Sequence, residues 1–135
     1  MDSGSATIEN WAKFGVEVRS QKDNLVHLIN RLIESKKSIY GLGASTKGNV
    51  LLNYSKINSD HIPMIGEVNQ DKFGSYTPGS LIPIIDERRI LEMKPDYLLF
   101  LPWHFKEHAV SKYSDYLTDG GRFIFPLPNV EVLGY

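Results

Sequence analysis

The segment Gly41-Leu42-Gly43-Ala44-Ser45-Thr46-Lys47-Gly48-Asn49 has the residue types of an anion-binding turn. Glycines at 41 and 43 let the backbone turn sharply and approach a ligand with no Cβ in the way. The N–H groups that open a following helix have no intrahelical acceptor and can serve an anion. Ser45 and Thr46 add hydroxyl donors, and Lys47 adds a mobile positive charge. Two familiar patterns fail to match. A P-loop ends in Gly-Lys-Ser/Thr, whereas here Gly48 follows Lys47, and the dinucleotide fingerprint needs glycine where Thr46 stands. The segment reads as a phosphate-type ligand site or as a tight strand–helix turn capped by Ser45 or Thr46.

Three other segments carry residues able to touch a ligand. Glu67 closes a candidate strand, where a dinucleotide fold places an acid on a ribose hydroxyl; the alternative is a solvated loop acid. Tyr76-Thr77-Pro78-Gly79 makes either a rigid turn with a ring free to stack or a turn of purely structural use. Trp103 and His104 follow the most apolar strand; the indole either stacks on a base or sugar or covers the core. His104-Phe105-Lys106-Glu107-His108 also spells H-x-x-E-H, a zinc-hydrolase pattern that here has no obvious third ligand. No metal site is expected, and His27 and His61 read as surface residues.

Alternating elements must position these groups. From Ile8 to Ile33 there is no proline, and apolar residues recur at gaps of three, four and seven, so residues 8–35 read as an N-terminal helical segment, bent or in two pieces. Residues 36–135 alternate strands with helices. Strands are expected at Ser38–Gly41, Ile62–Glu67, Ile82–Ile85, Asp96–Leu101 and Arg122–Pro126. Helices are expected at Lys47–Tyr54, Glu87–Met93 and His104–Leu117. This is the pattern of an α/β, Rossmann-like three-layer domain: five mostly parallel strands in the order 3-2-1-4-5, helices on both faces. Its ligand crevice lies between the loops after strands one and four. Residues 1–7 read as a flexible lead and 8–135 as a single domain.

The 135 residues are 41% hydrophobic and 23% charged, a globular balance. Fifteen Lys+Arg against sixteen Asp+Glu give a charge of −1, which excludes a basic body built to hold nucleic acid. No cysteine is present, so thiol nucleophiles and cysteine zinc sites are excluded. No apolar run is long enough to cross a bilayer, and the expected location is cytoplasmic.

The run from Gly41 to Tyr54 resembles the "GxGAsxKGNtLLNy" segment of the C-terminal domain of sugar C-methyltransferases. The resemblance continues through Gly74–Gly79, Ile82-Pro83-Ile84, Lys94–Tyr97, Leu101-Pro102-Trp103 and Gly120–Ile124, in order, from about Phe14 to Pro128. It implies a domain that closes the site over a nucleotide-diphosphate sugar and is not catalytic alone. Gly41, Gly43, Ala44, Ser45, Thr46, Lys47, Gly48, Asn49, Glu67, Tyr76, Trp103 and His104 are its expected substrate contacts. The family commonly has Asp near Glu67 and Asn at His104. It also implies a zinc domain and an S-adenosylmethionine domain, expected in a parent or partner chain, so no cofactor is expected on this one. The alternatives are a stand-alone dinucleotide or coenzyme A module and a metallohydrolase built on His104 and His108.

Overall fold

A computed structural model describes residues 22–134. The first helix in that range, α1 (22–34), points Leu25 and Ile29 fully into the core, as their spacing of four requires. The portion of the expected helical segment before residue 22 lies outside the described residues. Six strands follow: β1 (Ile39–Leu42), β2 (Ile65–Glu67), β3 (Ile84–Asp86), β4 (Tyr97–Phe100), β5 (Arg122–Phe125) and β6 (Glu131–Gly134). The helices between them are α2 (Thr46–Tyr54), α3 (Glu87–Glu92), α4 (Lys106–Lys112) and α5 (Ser114–Thr118).

The sheet order is β3-β2-β1-β4-β5-β6, with the first five strands parallel. The expected order of those five holds, but the expected count of five does not. β6 runs antiparallel to β5, pairing Phe125 with Glu131 and Arg122 with Gly134. It is an edge strand with almost every side chain outside, so it carries none of the apolar patterning that marks the others. The expected helix 104–117 also divides: a 3-10 turn at Trp103–Phe105 leads into α4, and a break at Tyr113 (φ −108°, ψ 30°) separates α4 from α5.

Both faces of the sheet are covered, and the two-residue period of each strand divides its side chains between them. Ile39, Tyr97, Leu99 and Ile124 join Leu25, Ile29, Leu51 and Leu52 under α1 and α2. Leu42, Leu98, Phe100, Phe123 and Phe125 pack with Ile90, Ala109, Tyr116 and Leu117 under α3, α4 and α5. The second cluster is aromatic, with Phe100 edge-on to Tyr113, Phe123 and Phe125.

Register between the two central strands is pinned at their start. The Ser38 N–H and hydroxyl both donate to one Asp96 carboxylate oxygen (2.8 and 3.1 Å), and the Asp96 N–H donates back to the Ser38 hydroxyl (2.8 Å). One residue on, Ile39 faces Tyr97 across the ladder. Donation from the Ser38 backbone N–H is the main cause that holds the Asp96 carboxyl below the ordinary carboxylate range. A carboxyl depressed in the folded state adds stability above its unfolded pKa of about 3.9, and loses it as pH falls through the folded value. Asp96→Asn is expected to lower the thermal midpoint at neutral pH and to make its fall in acid shallower. Calorimetry of both proteins across the acid range checks this.

Candidate functional site

The chain leaves β1, turns through Gly43–Ser45 and enters α2 at the carboxyl end of the sheet. β2 and β4 flank β1 on opposite sides, so this turn sits at the reversal point of the topology, where open α/β sheets bind ligands. A crevice of about 270 Å³ opens there, lined by the turn, the ends of β2 and β4, and α4. Its position is the one expected from the sequence. Its lining differs from expectation.

Gly43 takes φ +84°, and a Cβ there would fall 2.5 Å from Cγ of Pro102, so glycine is required on both counts. The Gly43 N–H donates to the Gly66 carbonyl (2.8 Å), which ties the turn to β2. The next peptide is held at both ends. The Ala44 N–H donates to Glu67 Oε1 (2.9 Å), and the Ala44 carbonyl accepts from Lys72 Nζ (2.8 Å). The other oxygen of Glu67 accepts from the N–H groups of Val68 and Asn69, both at 2.9 Å. Lys72 Nζ stands 3.9 Å from Oε1, a loose ion pair. Glu67 is only 8% exposed, so it is not a solvated loop acid. Its hydrogen bonds clasp the turn.

Most of the donors expected to face an anion are therefore spent inside the protein. The Ser45 N–H bonds the Gly43 carbonyl, and the Asn49 N–H bonds the Ser45 carbonyl. Ser45 is the N-cap of α2, its hydroxyl accepting from the Gly48 N–H (3.0 Å). Among the described residues no acceptor meets the N–H groups of Thr46 and Lys47, the first two of the helix. Both residues are exposed, and neither lines the crevice. Gly48 is buried because α2 crosses close to the end of β4; a Cβ would lie 2.6 Å from that of Leu101. Gly41 is likewise buried in β1, against Ile65.

The remaining expected contacts are dispersed. Asn49 accepts from the Ser80 hydroxyl (3.2 Å), and Asn53 donates to the Pro78 carbonyl (2.9 Å), so α2 holds the Tyr76–Ser80 turn against its side. Within that turn Thr77 is buried and hydrogen-bonded to Ser80, while the Tyr76 ring is 61% exposed. Trp103 packs on the cluster under α1 and α2 and stacks on exposed His104 with ring centres 4.8 Å apart. His108 faces the crevice instead. No three His, Asp or Glu side chains among the described residues gather as a metal site would require.

Four crevice residues went unnoticed in the sequence: Lys72, Glu87, Lys112 and Tyr113. Glu87, the first residue of α3, is buried and accepts from the Tyr113 hydroxyl (2.6 Å), with Lys112 Nζ 3.4 Å from its other oxygen. Burial, reinforced by that carboxylate, pushes the Tyr113 hydroxyl far above its ordinary range, so Tyr113 keeps its proton. Each acid in the crevice thus has a lysine beside it, and these four charges cancel. The available signal was an acid directly after β3, at the ligand end of the sheet. Lys112 and Tyr113 carried no pattern apart from the helix they sit on.

Comparison with known proteins follows the same lines. The family described as C-methyltransferase C-terminal domain matches residues 1–128. The C-methyltransferase NovU of Streptomyces niveus is 28% identical over 130 residues, which is 96% of this chain and 31% of that protein. The chain thus spans about a third of the length of this relative.

Replacing Glu67 by glutamine keeps its shape but sets an NH₂ group against backbone N–H donors that need an acceptor. Leaving a buried donor unsatisfied costs about 1–3 kcal/mol. Glu67→Gln is expected to lose stability in that range in urea titration; an unchanged midpoint would deny the clasp any structural weight.

Proposed function

The chain belongs to the C-methyltransferase C-terminal domain family, and from that membership we propose that it is the part which faces the substrate, a nucleotide-diphosphate sugar. The observation that carries this reading is the pair of unspent N–H groups of Thr46 and Lys47. They stand at the start of α2, beside the Thr46 hydroxyl and the Lys47 ammonium, at the carboxyl end of the sheet. Unpaired helix-start donors with a cation among them suit a diphosphate. Ser45, Gly48 and Glu67 serve this site by fixing the turn, and Gly41, Gly43, Ala44 and Asn49 shape it. The exposed ring of Tyr76 and the Trp103–His104 stack offer flat surfaces for a base or sugar. In this reading residues 8–135 form one Rossmann-like domain.

Methylation at a ring carbon needs a base to take the proton from the carbon beside a ketone and a bound methyl donor. The donor is S-adenosylmethionine, held in a separate methyltransferase domain of the parent or a partner chain. The two crevice acids are engaged by backbone N–H groups and by Tyr113, so neither is poised as that base. The part played here is orientation, which can itself contribute substantially to rate. A stand-alone dinucleotide module would need Glu67 free for a ribose hydroxyl, and its three backbone hydrogen bonds argue against that reading. No helix among the described residues is long and apolar enough to cross a membrane.

The test is titration of the chain with a thymidine-diphosphate sugar. Weak binding is expected, with amide shifts centred on Thr46 and Lys47. Lys47 is exposed, so Lys47→Ala should cost no more than about 1 kcal/mol in the chain alone. The loss should rise to about 1.5–3 kcal/mol where the site is closed by a methyl-donor domain. S-adenosylmethionine should bind no better than background. Unchanged affinity in Lys47→Ala where the site is closed by a methyl-donor domain, or preferred binding of NADH by the chain, would sink the assignment.

A further inference from the structure

A second group of polar side chains lies at the far end of α2, away from the proposed substrate site. A cavity of about 440 Å³ opens there between α1 and the turn that leaves α2, with Lys22, Asp23, His27, Ser55, Lys56 and His61 on its walls. α2 has nine residues. At a rise of about 1.5 Å per residue, the cavity stands roughly 13 Å from Thr46 and Lys47. None of these six residues lines the crevice at the carboxyl end of the sheet.

Ser55 is the residue on which the site turns. It is 5% exposed, and its hydroxyl is the one buried side-chain polar atom among the described residues that meets no hydrogen-bond partner. Its backbone N–H is spent on the Leu51 carbonyl (2.9 Å), closing α2. A serine in such a place commonly turns its hydroxyl onto a nearby backbone group. This one does not. Leaving a buried hydroxyl unmet costs stability that an alanine would not cost, so the hydroxyl is available to a ligand in the cavity.

The surrounding groups set the charge of that ligand. Lys22 and Lys56 bring two positive charges, and neither has a carboxylate at ion-pair distance among the described residues. Lys22 Nζ lies 5.0 Å from the centre of the Tyr54 ring, which holds it near the end of α2. His61 Nδ1 accepts from the Asn58 N–H (3.2 Å), which leaves the ring proton on Nε2 as a donor. Asp23 is the one acid among the described lining residues, and it is exposed. No three His, Asp or Glu side chains gather here to hold a metal. Cations and donors with so few carboxylates suit an oxyanion.

We propose that this cavity is a second anion site, for a phosphate group that is either free or the ester of a small molecule. The Ser55 hydroxyl, the His61 Nε2–H and the ammonium groups of Lys22 and Lys56 hold it, with exposed His27 at the edge. Phosphate fits better than a carboxylate because it offers more charge and three acceptor oxygens, enough to meet donors from α1 and from the turn together. The inference does not rest on the substrate reading.

The experiment is titration of the isotope-labelled chain with inorganic phosphate, with glycerol 3-phosphate and with acetate, at an ionic strength held constant with sodium chloride. Saturable amide shifts are expected at His27, Ser55, Lys56 and His61 with both phosphates and not with acetate. The tighter of the two phosphates tells whether the free ion or an ester is preferred. Ser55→Ala should weaken binding by about tenfold. It should leave the thermal midpoint equal or higher, because it removes only an unmet hydroxyl. Asp23→Asn should tighten binding by about threefold, the opposite of what a cation site would show. Shifts confined to Thr46 and Lys47, equal shifts with acetate, unchanged affinity or a lower midpoint in Ser55→Ala, or weaker binding in Asp23→Asn would each overturn the second site. The substrate reading would stand in all of these cases. Phosphate shifts at Ser55 without sugar-nucleotide shifts at Thr46 and Lys47 would overturn that reading instead.

Discussion

A carboxylate taken out of water must be given hydrogen-bond donors, and Glu67 obtains its donors from the backbone around it. Three N–H groups converge on its two oxygens, one from the glycine turn and two from the chain just past β2. Hydrogen bonds to an ionised acceptor are among the stronger ones available to a protein. The turn between β1 and α2 is therefore locked to the second strand, with Lys72 holding the opposite end of the Ala44 peptide. Everything at the carboxyl end of the sheet depends on that lock. It also explains why the turn is not a phosphate cradle of the usual kind, since the N–H groups that would line one are already engaged. Among the described residues, the N–H groups left without an acceptor lie one step along the chain, in the first two residues of α2.

The second buried acid acts on a larger scale. Glu87 joins the start of α3 to Tyr113, the residue at which α4 gives way to α5. Tyr113 sits there at φ −108° and ψ 30°, outside helical geometry, with its ring among Phe100 and Phe123 and its hydroxyl on the carboxylate. Both acids of the crevice are thus held by hydrogen bonds, each with a lysine beside it.

Two-sided burial of the sheet sends the remaining chemistry outward. With α1 and α2 on one face and α3 to α5 on the other, no ligand reaches the strands except at their ends. Thr46 and Lys47, exposed at the start of α2, stand at the carboxyl end.

Much of the fold is legible in the sequence because its signals are local. The apolar run Tyr97–Phe100 announces a strand buried on both faces, and Gly41-Leu42-Gly43 announces the turn after β1. The alternation of elements then leads to the parallel order, and the motif run leads to the family. β6 was missed because an exposed edge strand buries nothing and so leaves no periodic trace. The division of labour among the polar residues was not legible at all. Glu67 and Ala44 are 23 positions apart, and Glu87 and Tyr113 are 26 apart. Which donor a carboxylate finds is settled by strand register and helix placement, quantities to which every element contributes. The sequence by itself determined the class of fold, the family and the place of the glycine turn after β1. Only the tertiary structure decided that Glu67 braces that turn and that Lys47 faces outward, because burial and hydrogen-bond geometry exist only once distant segments have been packed together.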